Sequence, residues 1–364
     1  MNAKIVLVKL SPLPRIAPQA VAGAVPAANA ATGAVNAVQQ TTTTAAGAQA
    51  VDIPPASVPP QVPASDPTGN DPISQASDGS LILDKTSNAG GFALRYKISG
   101  PAAQFSTSSQ VPGATQAESA AGTFGLNVLL HGDGADSFDT FPNQAVQSNL
   151  MGVVIRTPDP GLHWGGGTGN LTRPDGVSHS AAVDDLIQNQ ILPTQVAFNK
   201  SQVYFTGVSG GSLTLAGFFV PAFMNKYRTG VLLNCGALPP QTQYGVEFVD
   251  PDDVMKTTVI HYQSTKQELD DLRPAIPAAI TEYERLARNA GLSDAQINAM
   301  QTVNNEPNGG HCAFDGQTFD GGVQLMANSY ANVILPGGNG QVAGIGNVKT
   351  GVVGNENLAF TPGT

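Results

Sequence analysis

Between residues 71 and 364, short continuous apolar runs alternate with longer amphipathic stretches. The runs at residues 126–130 and 203–206 are short, β-rich and mostly apolar, and residues 152–159 begin with Gly, Val, Val and Ile, which is typical of strands buried on both faces. Residues 275–291, "AIPAAITEYERLARNAG", place apolar side chains at helical spacing and end at a glycine. Strands that alternate with helices predict an α/β fold with a mostly parallel central sheet and helices on both faces.

Further elements follow from the same pattern. Residues 81–83 and 92–96 flank a Ser-Asn-Ala-Gly-Gly turn, which predicts a leading β-hairpin. Residues 257–262 predict another strand, and Ser293 with Gln296 has the form of a capping box that opens a helix. We expect a last helix over residues 323–333.

The first seventy residues differ from the rest. Residues 1–70 are rich in Ala, Pro, Thr, Val and Gln, with few charges and no aromatic residue. This composition predicts a disordered, low-complexity leader or linker rather than a packed domain. Residues 71–364 are long enough to form one catalytic α/β domain with a large core.

The charge balance limits the partners. Lys and Arg number 17 against 27 Asp and Glu, a net charge of −10. There is no basic stripe for nucleic acid, the net charge opposes anionic membranes, and no apolar run is long enough to span a bilayer. We therefore expect no nucleic-acid partner and no membrane span, and we expect a monomer.

Several features favour secretion. The chain has only two Cys and few Lys, and its sequons at Asn170 and Asn199 predict glycosylation. The first fifteen residues make a poor signal peptide, because Lys9 and two prolines interrupt the apolar region. The alternative is a cytosolic enzyme in which the sequons occur by chance.

The clearest chemical motif is G-x-S-x-G at residues 207–211. A β-rich run leads into it and a run of small and apolar residues follows, which is the strand–turn–helix context of a nucleophile elbow. The glycines leave room for a sharp turn, and the turn exposes the hydroxyl of Ser209 near a helix N-terminus. The alternative is a glycine-rich turn with a bystander serine.

A second glycine turn follows the apolar run at residues 126–130. It reads His131-Gly132-Asp133-Gly134. In acyl-transfer hydrolases such a turn supplies a backbone N–H to the oxyanion hole. The alternative is an ordinary turn at the end of a strand.

A serine nucleophile needs a base, and α/β-hydrolases place nucleophile, acid and histidine in that chain order. Only His261 and His311 follow Ser209. His261 lies within an apolar strand, which favours a structural role, whereas His311 lies in a glycine-rich loop. We expect His311 to be the general base.

The acid should follow the strand that ends near residue 262. Glu268, Asp270 and Asp271 are available there, and Gln267 stands where a typical Gly-Thr-x-Asp turn would carry its aspartate. We favour Glu268, with Asp270 as the next candidate, and the alternative for each of the three carboxylates is a helix cap or a solvated charge.

The two cysteines should come together. Cys235 ends a strand and Cys312 follows His311, so both should lie at the carboxyl edge of the sheet. We expect a disulfide between them, and two buried free thiols are the alternative.

A long glycine-rich loop, residues 161–181, holds the only tryptophan, Trp164. Structureless loops of this length are usually functional, so Trp164 is a candidate to stack on substrate, and His131 is a second candidate for substrate binding. The alternative is that Trp164 covers the core.

Four segments, "NVLLHGDG", "AAVDDLI", "SQVYFTGVSGGS" and "GGHC", resemble the α/β-hydrolase superfamily. More narrowly, the chain resembles secreted esterases related to polyhydroxybutyrate depolymerases and to feruloyl or acetylxylan esterases. The resemblance implies Ser209 as nucleophile, His311 as base, and oxyanion donors at Gly210 and at Asp133 or Gly134. Feruloyl esterases and tannases carry a Cys directly before the nucleophile, where this chain has Val208, so their substrate is not carried over.

Together these features predict a secreted serine carboxylic-ester hydrolase that acts through an acyl-enzyme on a small-molecule or polymeric ester. No ligand cluster is visible, so we expect no cofactor and no metal. One alternative is a serine peptidase on the same fold. Another is a catalytically inactive hydrolase fold that acts as a surface or adhesion protein.

Overall fold

The computed structural model describes residues 73–191 and 194–361, and the main sheet of this part has ten strands. The strands of the described residues are β1 (Ile73–Gln75), β2 (Leu81–Ala89), β3 (Phe92–Gly100), β4 (Gly125–Leu130), β5 (Leu150–Ile155), β6 (Val203–Val208), β7 (Gly230–Asn234), β8 (Val259–Gln263), β9 (Gln301–Asn304), β10 (Gln341–Val342), β11 (Gly346–Asn347) and β12 (Thr350–Gly351).

The α-helices of the described residues are α1 (Asp136–Thr140), α2 (Gly176–Asp185), α3 (Gly210–Thr214), α4 (Val220–Tyr227), α5 (Pro251–Thr257), α6 (Leu272–Asn289), α7 (Asp294–Met300), α8 (Phe319–Asn328) and α9 (Tyr330–Val333). A π-helical turn, Leu215–Phe219, joins α3 to α4, and another, Leu186–Ile191, continues α2.

The sheet order is β1-β2-β3-β5-β4-β6-β7-β8-β9-β12. The six strands from β5 to β9 in this order are parallel, whereas β1, β2 and β3 form an antiparallel edge and β12 pairs antiparallel with β9. The expected mostly parallel α/β sheet is confirmed. All six parallel strands therefore end at the same edge, which is where active sites gather in such folds.

Both faces of the sheet are covered. In β4 the side chains of Leu126, Val128 and Leu130 belong to one buried cluster, and Leu129 belongs to another on the opposite face. Side chains alternate across a strand, so two covered faces favour a mostly apolar run, and the buried polar Asn127 of β4 accepts a hydrogen bond from the hydroxyl of Thr206 at 2.8 Å.

Several element boundaries differ from expectation. The hairpin forms, but β2 runs through the expected turn to Ala89, so Gly90 and Gly91 alone make the reversal. Both have positive φ, which glycine adopts without a steric penalty. The expected last helix begins earlier, at Phe319, and breaks at Ser329. The capping box at Ser293 is confirmed.

Strand β9 and helix α5 are among the elements that were not predicted from the sequence. Strand β9 is four residues long and mostly polar, and it forms because β8 on one side and β12 on the other provide hydrogen-bonding partners. Helix α5 is seven residues long and begins at a proline after Asp250, whose side chain accepts from the N–H of Asp253.

The predicted leader, residues 1–70, lies outside the described residues. No helix in the described part of the chain combines the length and the apolar character needed to cross a membrane.

Candidate active site

Four loops that follow parallel strands converge at the carboxyl edge of the sheet. The turn at His131 follows β4, Ser209 follows β6, Glu268 comes after β8, and His311 comes after β9. Because parallel strands point the same way, residues far apart in sequence meet here.

Ser209 occupies a strained backbone position between β6 and α3. Its φ of 48° and ψ of −114° lie outside the regions that residues with a side chain commonly adopt. A Cβ at Gly207 would lie 2.7 Å from the backbone nitrogen of Ser212, and a Cβ at Gly211 would overlap the carbonyl oxygen of Leu130. The glycines are therefore required by close packing, and the turn lifts Ser209 to a partly exposed position.

The side chains of Ser209, His311 and Glu268 form a continuous hydrogen-bonded line. The Oγ of Ser209 lies 2.9 Å from Nε2 of His311, and Nδ1 of His311 hydrogen-bonds to Oε1 of Glu268. Since the carboxylate accepts a hydrogen bond from Nδ1–H, Nε2 is left as the acceptor for the serine hydroxyl. This is the arrangement that a general base needs.

Glu268 is completely buried, and its Oε1 also accepts from the backbone N–H of Leu269 at 2.9 Å. The alternative acid, Asp270, has a side chain that is 93% exposed and pairs with Arg273 at 2.9 Å. The structure thus brings Glu268 to His311 and leaves Asp270 at the surface.

Two backbone N–H groups lie in the loops around Ser209. The N–H groups of Asp133 and Gly210 have no acceptor among the described residues, and Gly210 begins α3, where such groups lack an intrahelical partner. The N–H of Gly134 instead donates to the carbonyl of Leu162 at 3.1 Å. The expectation for Gly134 is therefore corrected, because its N–H is already used.

The expected substrate contacts of Trp164 and His131 are also corrected, because both side chains are fully buried. Their rings lie 5.6 Å apart, and Trp164 belongs to the core cluster. The alternative reading of Trp164, as cover for the core, fits this position.

His131 has a defined hydrogen-bonding role beneath the site. Its Nδ1 donates to the carbonyl of Gly132 at 2.6 Å, and its Nε2 accepts from the N–H of Thr157 at 3.0 Å. Burial lowers the pKa of His131 to about 4, so the ring is neutral and supports the turn rather than contacting solvent.

His261 is likewise structural. It is fully buried in β8, between Oγ1 of Thr302 at 2.9 Å and Oε1 of Gln263 at 3.2 Å. Burial lowers its pKa to about 4. It makes no contact with Ser209, which agrees with the choice of His311.

The disulfide between Cys235 and Cys312 is present, with Cα atoms 5.5 Å apart. Cys235 follows β7 directly, and Cys312 is the neighbour of His311. The bond therefore attaches the histidine loop to the sheet edge beside Ser209.

Among the described residues, three side chains are close enough to share a metal ion: Cys235, Glu268 and His311. The sulfur of Cys235 is bonded to Cys312, and Glu268 and His311 bond to each other. This set does not offer three free ligand atoms.

Two residues at the site were not predicted from the sequence. Phe319, the first residue of α8, is half-buried, and its ring centroid lies 5.9 Å from that of His311. Arg173 lies behind the turn at Asp133 and is only 1% exposed. Neither residue belongs to a local motif, so the sequence carried no signal for them.

The sequon residues lie in surface turns. The Oδ1 of Asn170 accepts from the N–H of Thr172, and the Oδ1 of Asn199 accepts from the N–H and the hydroxyl of Ser201. Asn170 is exposed and Asn199 is half-buried. Glycosylation at both stays a prediction.

No protein-family model and no curated protein matches the sequence. Solved structures are similar to it at low identity. A feruloyl esterase module from Clostridium thermocellum has 9% identity and a TM-score of 0.42, covering 72% of this chain and 90% of its own. A Bacillus cereus carboxylesterase has 15% identity and a TM-score of 0.38, and the match covers 57% of this chain and 90% of the carboxylesterase. Prolyl oligopeptidase B from Galerina marginata has 13% identity and a TM-score of 0.38, and the match covers 70% of this chain and 36% of the oligopeptidase.

The fold itself is identified by its own features. A mostly parallel sheet carries a G-x-S-x-G turn between β6 and α3, and serine, acid and histidine follow one another in that chain order. The chain therefore has the α/β-hydrolase fold.

Proposed function

We propose that the protein is a serine carboxylic-ester hydrolase with Ser209 as nucleophile, His311 as general base and Glu268 as the acid. The observation that carries the proposal is the hydrogen-bonded line from Ser209 through His311 to Glu268, in which Oγ and Nε2 are 2.9 Å apart. The disulfide at Cys312 supports it, because it holds the histidine loop in place.

In the first half of the reaction, the Oγ of Ser209 attacks the carbonyl carbon of the ester while its proton passes to Nε2 of His311. The carbonyl oxygen becomes an oxyanion, and the N–H groups of Asp133 and Gly210 donate to it. Glu268 stays ionised and stabilises the imidazolium through Nδ1. When the bond to the alcohol breaks, Nε2 returns its proton to the leaving alkoxide oxygen.

In the second half, water replaces the alcohol. His311 takes a proton from the water, whose oxygen attacks the acyl carbon, and the same N–H groups stabilise the second oxyanion. Collapse of this intermediate breaks the bond to Ser209, and His311 returns the proton to Oγ. The products are a carboxylic acid and the free enzyme.

The accessible position of Ser209 fits an ester presented from solvent, as a small molecule or as part of a polymer. Ser209 and His311 are partly exposed, while Glu268 is completely buried. Secretion is part of the proposal, since disulfides persist in oxidising compartments.

A fluorophosphonate probe and a panel of p-nitrophenyl esters, a feruloyl ester and a polyester film test the proposal. The wild-type protein should be labelled at Ser209 and should hydrolyse at least one ester. The Ser209→Ala variant should keep its melting temperature and lose activity by many orders of magnitude, because the nucleophile is gone.

Ser178→Ala is the matched control. Ser178 lies on α2, half-buried, and its hydroxyl only donates to the carbonyl of Asp175. It should keep wild-type labelling and turnover. A wild-type protein that resists the probe would instead support an inactive scaffold, and cleavage of peptides but not esters would support a peptidase.

A further inference from the structure

The turn that offers the Asp133 N–H is held from behind by a buried arginine. Nη1 of Arg173 donates to Oδ1 of Asp133 at 2.9 Å, and Nη2 donates to Oδ2 at 2.7 Å. Nη1 also donates to the carbonyl of Trp164 at 2.9 Å. The guanidinium thereby ties the Asp133 side chain to the glycine-rich loop in a fixed, planar geometry.

The glycine-rich loop is shaped around this arginine. Gly165 and Gly167 both have positive φ, a Cβ at Gly165 would lie 2.8 Å from Cβ of Arg173, and a Cβ at Gly167 would overlap the carbonyl oxygen of Thr172. The loop therefore folds tightly over Arg173, and this close packing accounts for the glycines at positions 165 and 167.

The carboxylate of Asp133 also packs against Gly210. A Cβ at Gly210 would overlap this carboxylate, so the side chain of Asp133 lies directly beside the second proposed oxyanion donor. An unpaired negative charge at this place would oppose the negative charge that develops during ester hydrolysis. Arg173 supplies the opposite charge from a buried position, since its side chain is 1% exposed and that of Asp133 is 19% exposed.

We propose that Arg173 is a positioning residue for ester hydrolysis: it fixes the Asp133 backbone N–H for the oxyanion and neutralises the Asp133 carboxylate. The inference rests on the proposed function. It assigns to Arg173 a part in transition-state stabilisation, whereas a purely structural arginine would contribute only to folding.

The experiment compares Arg173→Lys, Arg173→Met, Asp133→Asn and the double variant Arg173→Met/Asp133→Asn in the full chain. Each is assayed for kcat and KM on the best p-nitrophenyl ester, well below its melting temperature. Each is also titrated with an alkyl boronic acid to measure its affinity. The Ser209 oxygen adds to the boron atom of this inhibitor and forms a stable tetrahedral anion. The control is Arg95→Met, which removes the bidentate pair of Arg95 with Asp84 in the β2–β3 hairpin.

We expect Arg173→Met to lower kcat about 100-fold, as the loss of an oxyanion donor does, and to change KM less than about threefold. The boronate affinity should fall in parallel with kcat. The kcat of the double variant should be about tenfold higher than that of Arg173→Met, because the double variant also removes the uncompensated carboxylate. Arg173→Lys should lose about tenfold, since an ammonium keeps the charge but not the bidentate geometry. Arg95→Met should lower the melting temperature without moving kcat beyond about twofold.

Three results would overturn the inference: a folded Arg173→Met or Arg173→Lys with wild-type kcat, a fall in kcat without a fall in boronate affinity, or a double variant no faster than Arg173→Met. If Arg173→Met does not fold, the kcat and the boronate affinity of Arg173→Lys decide. A wild-type protein without ester turnover and without probe labelling removes the proposed function itself. That outcome differs from an active wild-type protein whose Arg173 variants keep the wild-type kcat, which would remove only the inference on Arg173.

Discussion

Cys235 and Cys312 are bonded across 77 positions of the sequence, and each has a positive φ, 54° and 55°. Cys235 is the first residue after β7, and Cys312 directly follows His311. The bond therefore links the loop that carries the proposed base to the strand next to the nucleophile. Loops are generally more mobile than the elements they connect, and the disulfide anchors this loop at the sheet edge.

Replacing both cysteines by alanine should lower both stability and turnover. The chain-entropy relation gives about 4.5 kcal/mol for a closed loop of this size, so the free energy of unfolding should fall by that order. A loop that no longer holds His311 against Ser209 should lower kcat by about 100-fold, even at temperatures where the fold persists. Urea unfolding and steady-state kinetics at 20 °C measure the two effects, and unchanged turnover in a folded variant would show that the loop is held by other contacts.

Glu268→Gln should reduce kcat by about 10³- to 10⁴-fold, because an amide cannot stabilise the imidazolium and can enforce the wrong tautomer. Asp270→Asn is the matched control, since Asp270 is a nearby surface carboxylate that pairs with Arg273. It should stay within about twofold of the wild type. Steady-state kinetics on one ester compare the two variants, and the reverse order of severity would move the acid to Asp270.

Stability should fall as the pH drops from about 7 towards 4. Burial lowers the pKa of His131 and His261 to about 4 from the ordinary value of 6.5, and burial also lowers the pKa of His179. Between these values the unfolded chain binds protons that the folded chain excludes, so protonation favours unfolding. Each histidine can contribute a slope of up to about 1.4 kcal/mol per pH unit, and above pH 6.5 its contribution is constant.

Urea unfolding at pH 7.5, 6.5, 5.5 and 5.0 measures this slope. His261→Gln, in which an amide replaces the ring between Thr302 and Gln263, should reduce the slope in this window. Equal stability at pH 7.5 and pH 5.0 in the wild type would mean that the buried rings are protonated in the folded state.

Gly211→Ala should destabilise the fold by about 1 to 3 kcal/mol, the usual cost of overpacking, because its Cβ would overlap the carbonyl oxygen of Leu130. Gly310→Ala is the control, since no atom lies within 4 Å of its Cβ position. Thermal unfolding of both variants tests the comparison. Similar melting temperatures would indicate that the backbone at the elbow can move to accept a methyl group.

The nucleophile elbow and the parallel sheet could be predicted because short stretches of the sequence indicate them. The run at residues 203–208 is mostly apolar since both of its faces are buried, and a Cβ at Gly207 would clash with the backbone of Ser212, which lies close by in the sequence. The candidate base, His311, could be chosen by chain order, as only two histidines follow Ser209. Strand β9 was missed because a four-residue polar segment becomes a strand only when neighbours offer hydrogen bonds.

The sequence by itself determined the fold class and the candidates Ser209 and His311, because short-range packing and the order of motifs along the chain dictate them. Only the tertiary structure decided which carboxylate hydrogen-bonds to His311. It also showed that the N–H of Gly134 donates to the carbonyl of Leu162, and that Trp164 is buried in the core rather than exposed in the active-site cleft. It alone also placed Arg173 against Asp133, forty positions apart. These are contacts between separate loops, and the direction in which each loop leaves its strand depends on the packing of the whole domain rather than on neighbouring residues.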